Sequence, residues 1–174
     1  MRKFLLLILV FAVCVQAPAF GVAAQQAADD RDKIFRDDLL EKLVGDWKLT
    51  RNMQAQSSDH LATAGWILNH QFLQVHMKGG GESQNYEAIV MIGYDERSER
   101  YVAHWIDIFG GRVSETLGYG TRTGNSIRFV FEYPEGPFVN TFTWKPETKT
   151  WTSLMITKDK NGSWKTFAED TYHH

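Results

Sequence analysis

Residues 126–145 read SIRFVFEYPEGPFVNTFTWK. Ile127, Phe129 and Phe131 alternate with Arg128 and Glu132 before Pro134-Glu135-Gly136-Pro137 reverses the chain. On the return, Phe138, Phe142 and Trp144 share a face with Asn140, and Val139, Thr141 and Thr143 take the other. A period of two on both sides of a turn cluster is an antiparallel hairpin with one apolar face.

The same texture runs from Trp47 to the end of the chain. It predicts ten strands, near residues 47–53, 62–68, 72–78, 86–94, 100–107, 113–120, 126–132, 138–145, 150–157 and 164–172. Gly79-Gly80-Gly81, Thr123-Gly124-Asn125 and Asp159-Lys160-Asn161-Gly162 mark further reversals. Asn161-Gly162 is the strongest, because both residues tolerate the positive φ of a hairpin turn. Connections this short make neighbours antiparallel, and no helix is long enough for a parallel crossover. Ten meandering strands bury their edges by closing, so the expected fold is an all-β, antiparallel up-and-down barrel. Strand 86–94 is apolar on both faces, which leaves its orientation open. Upstream, Ile34, Phe35, Leu39 and Leu43 approximate a helical stripe, predicting one short helix over 32–44 that Gly45 ends.

The first segment reads differently. Met1-Arg2-Lys3 precedes an apolar run from Phe4 to Val15, too short for the roughly 20 residues of a membrane span. Val22 and Ala24 then stand where a signal peptidase requires small residues. Residues 1–24 are read as a secretory signal peptide cut near Ala24, 25–35 as a polar leader and helix start, and 36–174 as the barrel domain. Cleavage leaves no membrane span. It also removes Cys14, the one cysteine, and with it any disulfide or thiol chemistry. Acids outnumber bases 21 to 19, which argues against a nucleic-acid binder.

Two features carry a resemblance. Leu43-Val44-Gly45-Asp46-Trp47 resembles the Gly-x-Trp of lipocalins and other calycins, whose Trp packs across the closed end of the barrel. The series Trp66-Ile67-Leu68, Phe72-Leu73-Gln74, Ile92-Gly93-Tyr94-Asp95, Tyr101 through Asp107 and Ser114-Glu115 is similar to an uncharacterised, often secreted bacterial family carrying domain of unknown function 1579. The resemblance covers about residues 36–172. It implies a calycin-like barrel and no established activity, cofactor or catalytic residue. The chain lacks the disulfides of lipocalins and the Gly-rich opening strand of haem-binding nitrobindin-like barrels.

Motifs for chemistry are sparse. Tyr101, Trp105 and Asp107 share a strand face; an interior Asp107 would need a donor, whereas a strand-end Asp107 would cap the Phe109-Gly110-Gly111 turn. The histidines show no metal-ligand spacing, so no metal is expected, although His76 or His104 could serve as a single haem ligand. His104, Asp107 and Ser114 name the parts of a triad, and Glu87 with Asp107 a carboxylate pair, without any supporting motif. His173-His174 reads as a loose tail.

Aromatic residues make 13% of the chain. A ten-strand barrel is wider than its side chains readily fill, and an aromatic wall with a few polar groups makes a ligand pocket. The expected function is therefore a secreted or periplasmic barrel binding a small, largely apolar, lipid-like ligand without chemistry or cofactor. Its expected lining is His76, Glu87, Tyr101, Trp105, Asp107, Phe129, Phe131, Asn140 and Phe142. Three alternatives stand beside it: an isomerase or hydrolase using His76 or His104 with Asp107, a haem-binding barrel, and a filled-core interaction module. The oligomeric state is left open.

Overall fold

The computed structural model describes residues 34–81 and 85–174. Ten strands follow one another: β1 (Gly45–Met53), β2 (Gln56–Ile67), β3 (Phe72–Gly79), β4 (Glu87–Asp95), β5 (Arg100–Asp107), β6 (Leu117–Thr123), β7 (Ser126–Tyr133), β8 (Gly136–Lys145), β9 (Thr150–Lys158) and β10 (Trp164–His173). Each pairs antiparallel with its neighbours in sequence, and β1 pairs with β10, so the sheet closes into an up-and-down barrel. Among the described residues, no helix is long and apolar enough to cross a membrane.

All ten expected strands are present, and the starts of two of them move by four residues or more. β2 begins at Gln56 because Gln54 and Ala55 both take positive φ, 50° and 65°, closing a two-residue hairpin. That turn pairs the polar run from Gln56 to Asp59 with the end of β1. β6 starts at Leu117 instead of 113, because Gly111–Ser114 coils into one helical turn after Gly110, whose φ is 85°.

The expected N-terminal helix contracts within the described residues to one 3₁₀ turn, Leu40–Leu43. Asp37 starts it by accepting from the N–H groups of Leu39 (2.9 Å) and Leu40 (2.8 Å). Phe35 leaves the helical path because its ring stacks on Tyr94 and meets Trp66 edge-on, both at 5.7 Å. Residues 32 and 33, like the expected signal peptide, lie outside the described residues.

This short segment closes one end of the barrel. Leu39, Leu40 and Leu43 are fully buried, each contributing about 1.5–3 kcal/mol. Three indoles hold the segment from different strands. Trp47 donates to the Leu43 carbonyl (2.7 Å), Trp151 to the Lys42 carbonyl (3.1 Å) and Trp66 to Glu41 Oε2 (2.8 Å). Gly45, at φ 131°, lets the chain turn from this plug into β1. The C-terminus is no loose tail: His173 pairs with Lys48, and His174 stacks on Trp47 at 4.0 Å.

Alternation sets the inner face. On β3, Leu73, Val75 and Met77 point in; on β4, whose orientation the sequence leaves open, Ala88, Val90 and Ile92 do. In the middle of the barrel β6 offers Gly118 and Gly120 to the inside, and the rings of Phe131 and Phe129 lie over that bare backbone. A Cβ on either glycine would sit 2.5 or 2.7 Å from ring carbons.

Candidate functional site

The end opposite the plug carries the hairpin turns β1–β2, β3–β4, β5–β6, β7–β8 and β9–β10. Beneath it, a belt of polar side chains crosses the inner face. Arg51 on β1, Asp170 on β10, Ser153 on β9 and Asn140 on β8 come from four adjacent strands. His60 on β2 and Tyr86, just before β4, extend the belt the other way.

Arg51 and Asp170 form a two-point ion pair. Nε donates to Oδ1 and Nη2 to Oδ2, each at 2.7 Å, with Asp170 fully buried. Burial opposes the Arg51 charge, but the bonds to Asp170 outweigh it and hold the guanidinium above its ordinary pKa. The same guanidinium lies 5.0 Å from the centre of the Tyr86 ring. Burial raises the Tyr86 hydroxyl, with Arg51 pulling the other way.

The rest of the belt is incompletely paired. Buried Asn140 accepts from the Ser153 hydroxyl at 2.8 Å through Oδ1, while its Nδ2 finds no partner among the described residues. Buried His60 bonds Ser58 Oγ through Nε2 at 2.9 Å, and its Nδ1 likewise finds none. Burial, and then the charge of Arg51, lowers the His60 pKa and so favours the neutral ring. An orphaned buried polar atom costs about 1–3 kcal/mol, so two on one inner surface need an explanation.

Aromatic rings surround the belt on the side of the β1–β2 and β7–β8 turns. Tyr86, Trp105, Tyr133 and Phe138 are half-buried. Phe109 and Phe167 stand out to solvent, the first 6.4 Å from Tyr86 and the second 5.5 Å from Phe138. The interior thus offers polar contacts beneath a partly exposed aromatic rim.

The expected site residues divide. Phe129, Phe131, Asn140 and Phe142 are buried inside, and Trp105 and Asp107 face in toward the end opposite the plug. Asp107 also caps its turn, accepting from the Phe109 N–H at 3.0 Å. Tyr101 faces in at the plugged end, where its hydroxyl donates to Asp37. Burial, and then Asp37, pushes that hydroxyl up. His76 and Glu87 are placed differently from expectation. With Leu73, Val75 and Met77 inside, His76 must point out, and it meets Glu87 on the outer surface at 2.6 Å. That bond, and then Lys78, lowers the Glu87 pKa.

No expected His/Asp pair converges. His104 lies on the outer face of β5 and reaches the Ser114 carbonyl at 2.7 Å, not its hydroxyl; Asp107 is on the other face. Among the described residues, no three His, Cys, Asp or Glu side chains gather to hold a metal.

Arg51, His60, Ser153 and Asp170 are absent from the sequence-based expectation. Their signal is parity: Arg51 continues Trp47 and Leu49, His60 precedes Ala62 and Ala64, and Asp170 lies between Ala168 and Tyr172.

A cleft of about 660 Å³ lies at the plugged end between Phe35, Tyr94, Glu99, Tyr101 and Arg122. Its polar groups largely satisfy one another: Arg122 donates to both Asp38 oxygens at 2.6 and 3.2 Å and lies 3.6 Å from Asp37. The interior belt, with its unpaired atoms, is therefore the candidate site. Residues 36–174 match a family described as "Protein of unknown function (DUF1579)". No curated protein matches the chain.

Proposed function

The chain belongs to the DUF1579 family, so its role has to be argued from the site, and we propose that the barrel binds a small, largely apolar ligand in its interior and does no chemistry on it. The ligand enters past the rim of Tyr86, Trp105, Tyr133 and Phe138 and rests against the belt. The observation that carries this reading is the pair of buried, unpaired atoms, Asn140 Nδ2 and His60 Nδ1, beneath half-buried aromatics. The plug under Gly45-Asp46-Trp47 supports a calycin-type barrel with one closed and one open end. The basic start and apolar run of residues 1–24 support action outside the cytoplasm, secreted or periplasmic, after cleavage near Ala24.

Native mass spectrometry of mature protein purified from its own compartment tests the reading. The expected result is an organic mass that leaves when the chain is unfolded. Apo protein that also takes up no added alkyl or aromatic compound contradicts it.

A further inference from the structure

We infer that the head group of the interior ligand is an uncharged oxygen function, such as an alcohol, ester or amide, and that Asn140 Nδ2 donates to it. This rests on the interior-binding reading above and narrows it.

The belt contains charge, but its charge is spent. Asp170 occupies the Nε and Nη2 donors of Arg51 through two 2.7 Å bonds, the geometry a ligand carboxylate would itself use. A fatty-acid head would have to share that guanidinium with a carboxylate that is 0% exposed, placing like charges together in a medium of low dielectric. An ammonium head fares no better. Both Asp170 oxygens already accept from Arg51, and the guanidinium repels a second cation.

What the belt leaves unpaired is neutral. Asn140 Oδ1 is held by the Ser153 hydroxyl, which turns Nδ2, a donor, toward an acceptor it does not have. His60 Nδ1 is donor or acceptor according to tautomer, and a hydroxyl answers either. Asn140 is 1% exposed and His60 5%, so both need a partner brought into the barrel. An oxygen head on an apolar chain supplies the acceptor while the chain meets the rings of the rim.

The test titrates the mature chain with three ligands of equal length: 1-decanol, decanoate and decylammonium. Decanol is expected to bind at least tenfold more tightly than either ion. On adding decanol, the Asn140 side-chain amide signal of ¹⁵N-labelled protein should move. Asn140→Leu should weaken decanol about tenfold and leave the ions unchanged. Decanoate or decylammonium binding as tightly as decanol overturns the head-group assignment while interior binding stands. Decanol binding that neither moves the Asn140 amide nor responds to Asn140→Leu overturns the role of Nδ2 and assigns that atom to buried water. If none of the three binds, the interior-binding reading falls, and this inference with it.

Discussion

Arg51 and Asp170, 119 residues apart in sequence, face each other across the β1–β10 seam and share two 2.7 Å bonds inside the barrel. The pair sits where the first and last strands meet, so the polar belt forms only once the barrel has closed.

Removing one partner should be far worse than removing both. Asp170→Leu leaves a buried guanidinium unpaired and is expected to cost about 3–5 kcal/mol. The double variant Arg51→Met/Asp170→Leu should recover most of that loss. Urea unfolding of the three proteins measures it. A loss below about 1 kcal/mol for the single variant, the range of an exposed pair, would contradict the buried geometry.

His60 predicts a pH dependence. Its folded pKa is lowered from 6.5, by burial first and Arg51 second, so the unfolded chain takes the proton more readily. The stability that neutral His60 provides is complete above about pH 6.5 and is lost as pH falls from there to the lowered folded value. His60→Gln should flatten that part of the stability–pH curve. An unchanged slope between the two proteins would place the titration elsewhere.

The glycines of β6 divide from those in open space. Gly118→Ala and Gly120→Ala press a methyl into Phe131 and Phe129 and should each cost about 1–3 kcal/mol. At Gly65 on β2, an added Cβ meets nothing within 4 Å, and Gly65→Ala should be neutral or stabilising by about 0.4–1 kcal/mol. Thermal midpoints of the three variants decide; equal losses would mean the rings do not lie over β6.

At the closed end, Trp151→Phe keeps the aromatic body but drops the bond to the Lys42 carbonyl, for an expected loss of about 0.5–1.5 kcal/mol. Asp37→Ala removes the cap on Leu39 and Leu40 and the partner of Tyr101, with the cap alone worth about 0.5–2 kcal/mol. Hydrogen exchange should quicken over residues 38–44 in Asp37→Ala while the central strands keep their protection. Uniform quickening would mean the plug and barrel open as one unit.

The strands were legible because the turn clusters are explicit and aromatic residues alternate cleanly, as in Ile127-Arg128-Phe129-Val130-Phe131. The start of β2 was hidden, since Gln54 and Ala55 are unusual residues for a positive-φ turn. The start of β6 was hidden, because nothing in the residue pattern of 111–114 announces the helical turn that precedes it. The helical stripe of 34–43 misled, because Phe35 packs on Tyr94 instead of continuing a helix.

Asn140 was legible at the site because it stands among aromatics on a regular strand. His76 reads as inward-facing in the sequence because its strand, Phe72-Leu73-Gln74-Val75-His76-Met77, offers apolar residues to both faces. Arg51 and Asp170 had the parity of buried neighbours, yet charged residues near strand ends ordinarily meet water. Only the closure of β1 on β10 shows that each neutralises the other.

Methionine methyl NMR offers the most direct test of interior binding. Met77 and Met155 are buried on the inner face, Met155 opposite Asn140, while Met91 lies on the outer face of β4. On titration with 1-decanol, the Met77 and Met155 methyl signals should move along one saturating curve, with Met91 unmoved. Signals of Met77 and Met155 that stay fixed at saturating decanol would contradict binding inside the barrel.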